Sequence, residues 1–134
     1  MRRPELLLVA VLIAVFPSCF CSNKLSGTVE VNGETLSFSS CRNGVVHGFR
    51  GVELSATNGM RLRLGVLPTG AAGVIIMPAG ETRGVELGTE CGSLSLSDQN
   101  STVNDVKNVE GKAVLDCEGQ GFKVKGEVSF ENCH

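Results

Sequence analysis

The sequence predicts an all-β domain, an antiparallel β-sandwich or partly open barrel of about eight strands carrying two disulfides. Three observations predict it. Short alternations of apolar and polar residues recur along the chain and end in turn residues, the pattern of half-buried strands rather than of helices. Glycine is abundant at 17 residues, while Trp and Tyr are absent. Four cysteines, Cys41, Cys91, Cys117 and Cys133, follow an N-terminal segment with the grammar of an export signal, and exported chains oxidise such thiols to disulfides.

That segment begins with Arg2 and Arg3, continues through an apolar run at residues 6–16, and ends in Pro17-Ser18-Cys19-Phe20-Cys21-Ser22. The run is shorter than the roughly 20 apolar residues of a membrane-spanning helix. Residues 1–21 are therefore read as the export signal, 22–26 as a short linker and 27–134 as the β domain. Two mature forms follow. Lipidation of Cys19 uses Phe16-Pro17-Ser18-Cys19 as a lipobox, with the small Ser18 before the modified thiol, and attaches the chain to a membrane. Cleavage after Cys21 instead frees the domain and leaves an even set of four cysteines, whereas lipidation leaves Cys21 as a fifth.

The strands are read in order. Thr28-Val29-Glu30-Val31 meets Asn32-Gly33, a two-residue hairpin signal because both turn positions need positive φ. Leu36-Ser37-Phe38-Ser39 alternates. Residues 45–57 read as one strand closing at Asn58-Gly59, followed by Met60-Arg61-Leu62-Arg63-Leu64, with apolar and basic residues on opposite faces. Val74-Ile75-Ile76-Met77 is continuously apolar and predicts a strand buried on both faces. Between them, residues 65–74 read as a tight Gly-rich connection. Segments 84–87, 93–97, 109–117 and 122–130 complete the set, with 98–108 as a polar loop.

Four thiols admit three connectivities, and residue spacing ranks them. Residues 118–121 read as a hairpin turn, which places Cys117 beside the turn and Cys133 about ten residues beyond it, roughly 30 Å away at 3.3 Å per residue. Cys91 and Cys117 come opposite one another if 91–97 and 111–117 run antiparallel. Cys41 and Cys133 are then left to join the second strand to the last.

The order of candidate lipid Cys19, hairpin Val29-Glu30-Val31-Asn32-Gly33, strand ending at Cys41, Gly-rich β region and final Phe130 strand ending in Cys133-His134 resembles the small secreted lipoprotein antigens of mycobacteria and related bacterial envelope lipoproteins. The resemblance implies a lipid-anchored β domain whose early and final cysteines, here Cys41 and Cys133, are bridged. It supplies no catalytic residue.

Composition and motifs narrow the function. Loss of residues 1–18 takes the formal charge from -2 to -3, and a slightly acidic domain does not suit nucleic acid, which needs a basic face. His47 and His134 are the only histidines, too few for a histidine-built zinc site once the thiols are bridged. Cys133 and His134 are sequence neighbours and point to opposite strand faces, which disfavours a Cys-His nucleophile. There is no Gly-x-Ser-x-Gly elbow and no phosphate or dinucleotide loop, so no cofactor is expected. Glu30, Glu34, Glu53, Glu86, Glu110 and Glu127 fall mostly on outer strand positions, where solvation explains them. Asn100-Ser101-Thr102 is a glycosylation sequon of source-dependent meaning.

One constellation stands above that background. The arginines of the mature region all lie between residues 42 and 83, and Arg50, Arg61 and Arg63 form a candidate anion-binding patch if their strands are neighbours, for lipid head groups or acidic glycans. The alternative is an outer face solubilised by pairing with Glu30, Glu53 and Glu86. The function expected is that of an exported cell-envelope protein, not an enzyme, with a structural or binding role, an envelope protein or glycan as partner, and membrane attachment through Cys19. The alternative is a small secreted enzyme or enzyme inhibitor with a loop-built site.

Overall fold

Alternation builds most of this molecule, and turn glycines divide it into more strands than the apolar runs suggest. The structure, a computed structural model, describes residues 23–103 and 105–134. Ten strands follow in order: β1 (Lys24–Val31), β2 (Glu34–Leu36), β3 (Phe38–Val46), β4 (Phe49–Ala56), β5 (Arg61–Val66), β6 (Ala72–Met77), β7 (Val85–Gly88), β8 (Gly92–Val103), β9 (Val106–Gly119) and β10 (Phe122–Cys133). They form two antiparallel five-stranded sheets, β2-β1-β10-β9-β8 and β3-β4-β5-β6-β7. The predicted sandwich is present. The export signal at 1–21 and the lipidation candidate Cys19 lie outside the described residues.

The inward faces supply the core. Val52, Leu54, Leu62 and Leu64 of one sheet and Val29, Leu115, Val128 and Phe130 of the other are each at most 1 % exposed. The strand at 74–77 buries Val74, Ile76 and Met77, while Ile75 is half-buried on the outer face, so it is covered less completely than a strand buried on both faces. Along one side the chain steps between sheets at Ser37, from β2 to β3. Along the other, a single bridge pairs Ala71 with Ser93 and ties the start of β6 to β8. Both disulfides join the expected partners: Cys41–Cys133 spans the two sheets, and Cys91–Cys117 links the start of β8 to β9 within one sheet, with Cα–Cα distances of 5.0 and 4.7 Å.

Four expectations are corrected. Lys24, Leu25 and Ser26, read as linker, already pair with β10 as part of β1, because ladder hydrogen bonds to Glu131, Phe130 and Ser129 are available to them whatever their side chains. Residues 45–57 are not one strand: His47 (φ 49°) and Gly48 (φ 78°) turn the chain between β3 and β4. The strand read at 36–39 is broken by the sheet crossing. Finally, the polar loop at 98–108 is largely a hairpin arm, in which Thr102 pairs with Lys107 and the Asn108 amide donates to Ser101 Oγ at 2.9 Å. Its residues are polar because the arm extends past the core, not because its backbone is irregular. Asn100 of the sequon lies exposed on β8.

Candidate functional site: an arginine-lined cleft over a glycine belt

The register of the second sheet places four glycines side by side, Gly44, Gly51, Gly65 and Gly73, on the outer faces of β3 to β6. A sheet face without side chains can be approached closely by another part of the backbone. The β3–β4 hairpin uses this opening. Val46 has the outward parity of Arg42 and Gly44 yet is only 7 % exposed, because the hairpin curls and lays its side chain over Gly51 and Gly65. At the tip, His47 Nε2 lies 2.7 Å from Glu86 Oε1 on β7, so the hairpin reaches across the sheet's outer face.

Substitution separates the belt's roles. A Cβ at Gly51 would lie 2.6 Å from both the Leu64 carbonyl oxygen and Val46 Cγ2, whereas one at Gly44 meets nothing within 4 Å. Gly51→Ala is therefore expected to cost about 2 kcal/mol in a urea melt, in the range of overpacked sites, and Gly44→Ala less than about 0.5 kcal/mol, as for uninvolved surface positions. Equal losses at both positions would remove the argument that Val46 needs the bare face.

Beside the belt runs a second outward row, in which Arg42, Glu53, Arg63, Ile75 and Glu86 stand opposite one another on successive strands. Arg63 Nε donates to Glu53 Oε2 at 2.8 Å, and Arg61 Nη1 lies 3.5 Å from Glu53 Oε1. Two guanidinium groups thus share one carboxylate, whose side chain is 17 % exposed against 36 % and 44 % for Arg61 and Arg63. Arg42, on the other side of Glu53, makes no ion pair among the described residues. The curled hairpin and this row form a cleft of about 230 Å³ lined by residues 42–46 of β3 together with Glu53 and Arg63. With Arg61 at its margin it carries three positive groups and one negative.

No protein-family model, curated protein or solved structure matches this chain.

The site departs from the sequence expectation in membership. Arg61 and Arg63 come together as expected, but Arg50 does not join them: it faces the opposite way on β4 and pairs with Asp98 of β8, across the two sheets. Arg42 takes its place. The reason is the missed His47-Gly48 turn, which brings Arg42 opposite Glu53 and Arg63. Of the glutamates offered as solubilising partners, Glu53 does pair with arginine, whereas Glu86 holds His47 and Glu30 makes no ion pair among the described residues. Among the described residues no group of three or more His, Cys, Asp or Glu side chains is placed to hold a metal ion.

Proposed function

We propose that the chain is an exported cell-envelope domain, tethered through lipid on Cys19 and without catalytic activity, that binds an anionic group in the arginine-lined cleft. The observation behind this reading is the imbalance of charge around Glu53. One carboxylate faces Arg42, Arg61 and Arg63, so two positive charges are left over beside the glycine belt. Guanidinium forks match the geometry of phosphate and sulfate oxygens. The cleft is smaller than the roughly 300–1,000 Å³ of pockets that enclose whole organic ligands, and suits one tetrahedral oxyanion on a larger molecule. Acidic glycans and lipid head groups both present that chemistry. The two disulfides suit an oxidising, extracytoplasmic compartment.

Titration calorimetry with sulfated dextran oligosaccharides and with short-chain phosphatidylglycerol tests the proposal. Charged hydrogen bonds contribute about 1.5–3 kcal/mol each, so Arg42→Ala and Arg63→Ala are each expected to weaken binding about tenfold or more. Arg83→Ala, an exposed change outside the cleft, should leave it unaltered. Which of the two ligands binds identifies the source of the oxyanion. Absence of binding to both at low ionic strength, or equal loss in the Arg83 variant, overturns the assignment.

A further inference from the structure

Beyond Asp98 opposite Val109, the ladder between β8 and β9 resumes only at Thr102 opposite Lys107, so Gln99, Asn100 and Ser101 stand against Asn108 alone. The extra residues form a bulge, in which the backbone is released from its partner strand. Two of them are tied down. Gln99 Oε1 accepts from the Asn132 backbone N–H at 2.8 Å and its Nε2 donates to Asn132 Oδ1 at 3.2 Å, while Ser101 Oγ accepts from the Asn108 amide. Asn100 between them is exposed, and its side-chain amide enters no hydrogen bond with the described residues. β8 is also the outermost strand of its sheet, and the bridge from Ala71 meets it at Ser93, well before the bulge. The bulge thus presents one carboxamide on a free edge.

The chemistry follows from what flanks that carboxamide. Asn100 is the one asparagine in the chain with a hydroxyl residue at the second position after it, in Asn100-Ser101-Thr102, and Asp98 stands two residues before it. In an extended segment residues two apart share a face, so a groove that takes up this stretch as a strand meets a carboxylate, a carboxamide and a hydroxyl in line. Asp98 is held at the surface by Arg50, with 47 % and 43 % of the two side chains exposed. Exposed ion pairs contribute little, so a competing cation can take this carboxylate. We propose that Asn100 is an N-glycosylation site, read together with Asp98 and Thr102 by an oligosaccharyl transferase that works outside the cytoplasm on a polyprenyl diphosphate-linked oligosaccharide. Asn100 Nδ2 attacks C1 of the first sugar. The C–N bond forms as the bond from C1 to the diphosphate oxygen breaks, the amide proton passes to a base of the transferase, and the polyprenyl diphosphate leaves. The site rests on the export proposed above and not on the arginine-lined cleft. A glycan there covers the free edge of β8, which is otherwise open to pairing with another strand.

Trypsin isolates the site, because residues 84–107 follow Arg83, end at Lys107 and contain no other Lys or Arg. The protein and its variants are purified from its native cells, and the intact mass and the reduced tryptic digest are measured. Peptide 84–107 is expected to carry the added mass of an oligosaccharide, with fragment ions that place it on Asn100. The addition should be lost in Asn100→Gln and Thr102→Ala, kept in Thr102→Ser and reduced in Asp98→Asn; intact disulfides in the non-reduced spectrum verify each fold. A bare peptide in the unsubstituted protein, or a glycan that survives Asn100→Gln or Thr102→Ala, overturns the site. Full occupancy in Asp98→Asn overturns the part given to the carboxylate. The intact mass separates the site from export. A chain cut ahead of Cys19 or after Cys21 with a bare peptide overturns the glycan and leaves export in place, whereas an uncut chain with a bare peptide overturns both.

Discussion

Replacing Cys41 and Cys133 together with alanine is expected to lower the unfolding free energy by about 4–5 kcal/mol, the larger of the two disulfide effects. The bond closes a chain separation of 92 residues, against 26 for Cys91–Cys117. Loop-closure entropy grows with the logarithm of that number, which puts the second bond at about 3.5 kcal/mol. The bonds also differ in what they hold. Cys41–Cys133 is the disulfide that joins the two sheets, and both its residues are buried, at 2 % and 0 % exposure; Cys91–Cys117 joins neighbouring strands already paired by a backbone ladder. Against a total stability of about 5–15 kcal/mol for a domain of this kind, the first loss is severe. Urea melts of the Cys41→Ala/Cys133→Ala and Cys91→Ala/Cys117→Ala pairs give the comparison directly. If the second pair proves the more costly, the entropic ranking is wrong and native contacts around Cys91 dominate.

The same bond shows what was legible in the sequence. Its pairing followed from strand spacing, because a hairpin at 118–121 fixes how far Cys117 stands from Cys133, and β9 and β10 do turn at Gln120 and Gly121. Asn32-Gly33 was equally plain, and both residues take positive φ. His47-Gly48 makes the same kind of turn, but its first residue is not one of the usual turn formers and the apolar pattern of Val45 and Val46 runs into it. The turn therefore disappeared into a long strand, and Arg42 was separated from Arg63. The polar arm at 98–108 was missed for a related reason. Composition reports which side chains meet the core, whereas a ladder needs only backbone groups, so a wet hairpin resembles a loop in sequence. The glycine belt has no local signature at all: Gly44, Gly51, Gly65 and Gly73 are unremarkable in the chain and become a row only once four registers are known.

Gly126→Ala is expected to cost about 3–5 kcal/mol, though the residue lies in no loop. It sits in β10, the central strand of its sheet, paired with Val29 of β1 on one side and Leu115 of β9 on the other. Its φ of 151° is one that residues with a side chain rarely adopt, and a Cβ there would lie 2.7 Å from Val29 Cα and overlap the Thr28 carbonyl oxygen. Both obstacles are backbone, so no rotamer change relieves them. Strained backbone costs about 1–3 kcal/mol and overpacking a similar amount. Gly121→Ala separates the two terms: its φ is 83° and nothing lies within 4 Å of the added methyl, so it should lose only about 1–2 kcal/mol, the left-handed penalty alone. If the two alanine variants melt together, the close approach of β1 to β10 contributes nothing. β1 begins one residue after Asn23, so displacing it from β10 loosens the point at which the chain enters the domain. Amide exchange in β1 should rise more than in β4 and β5 of the other sheet.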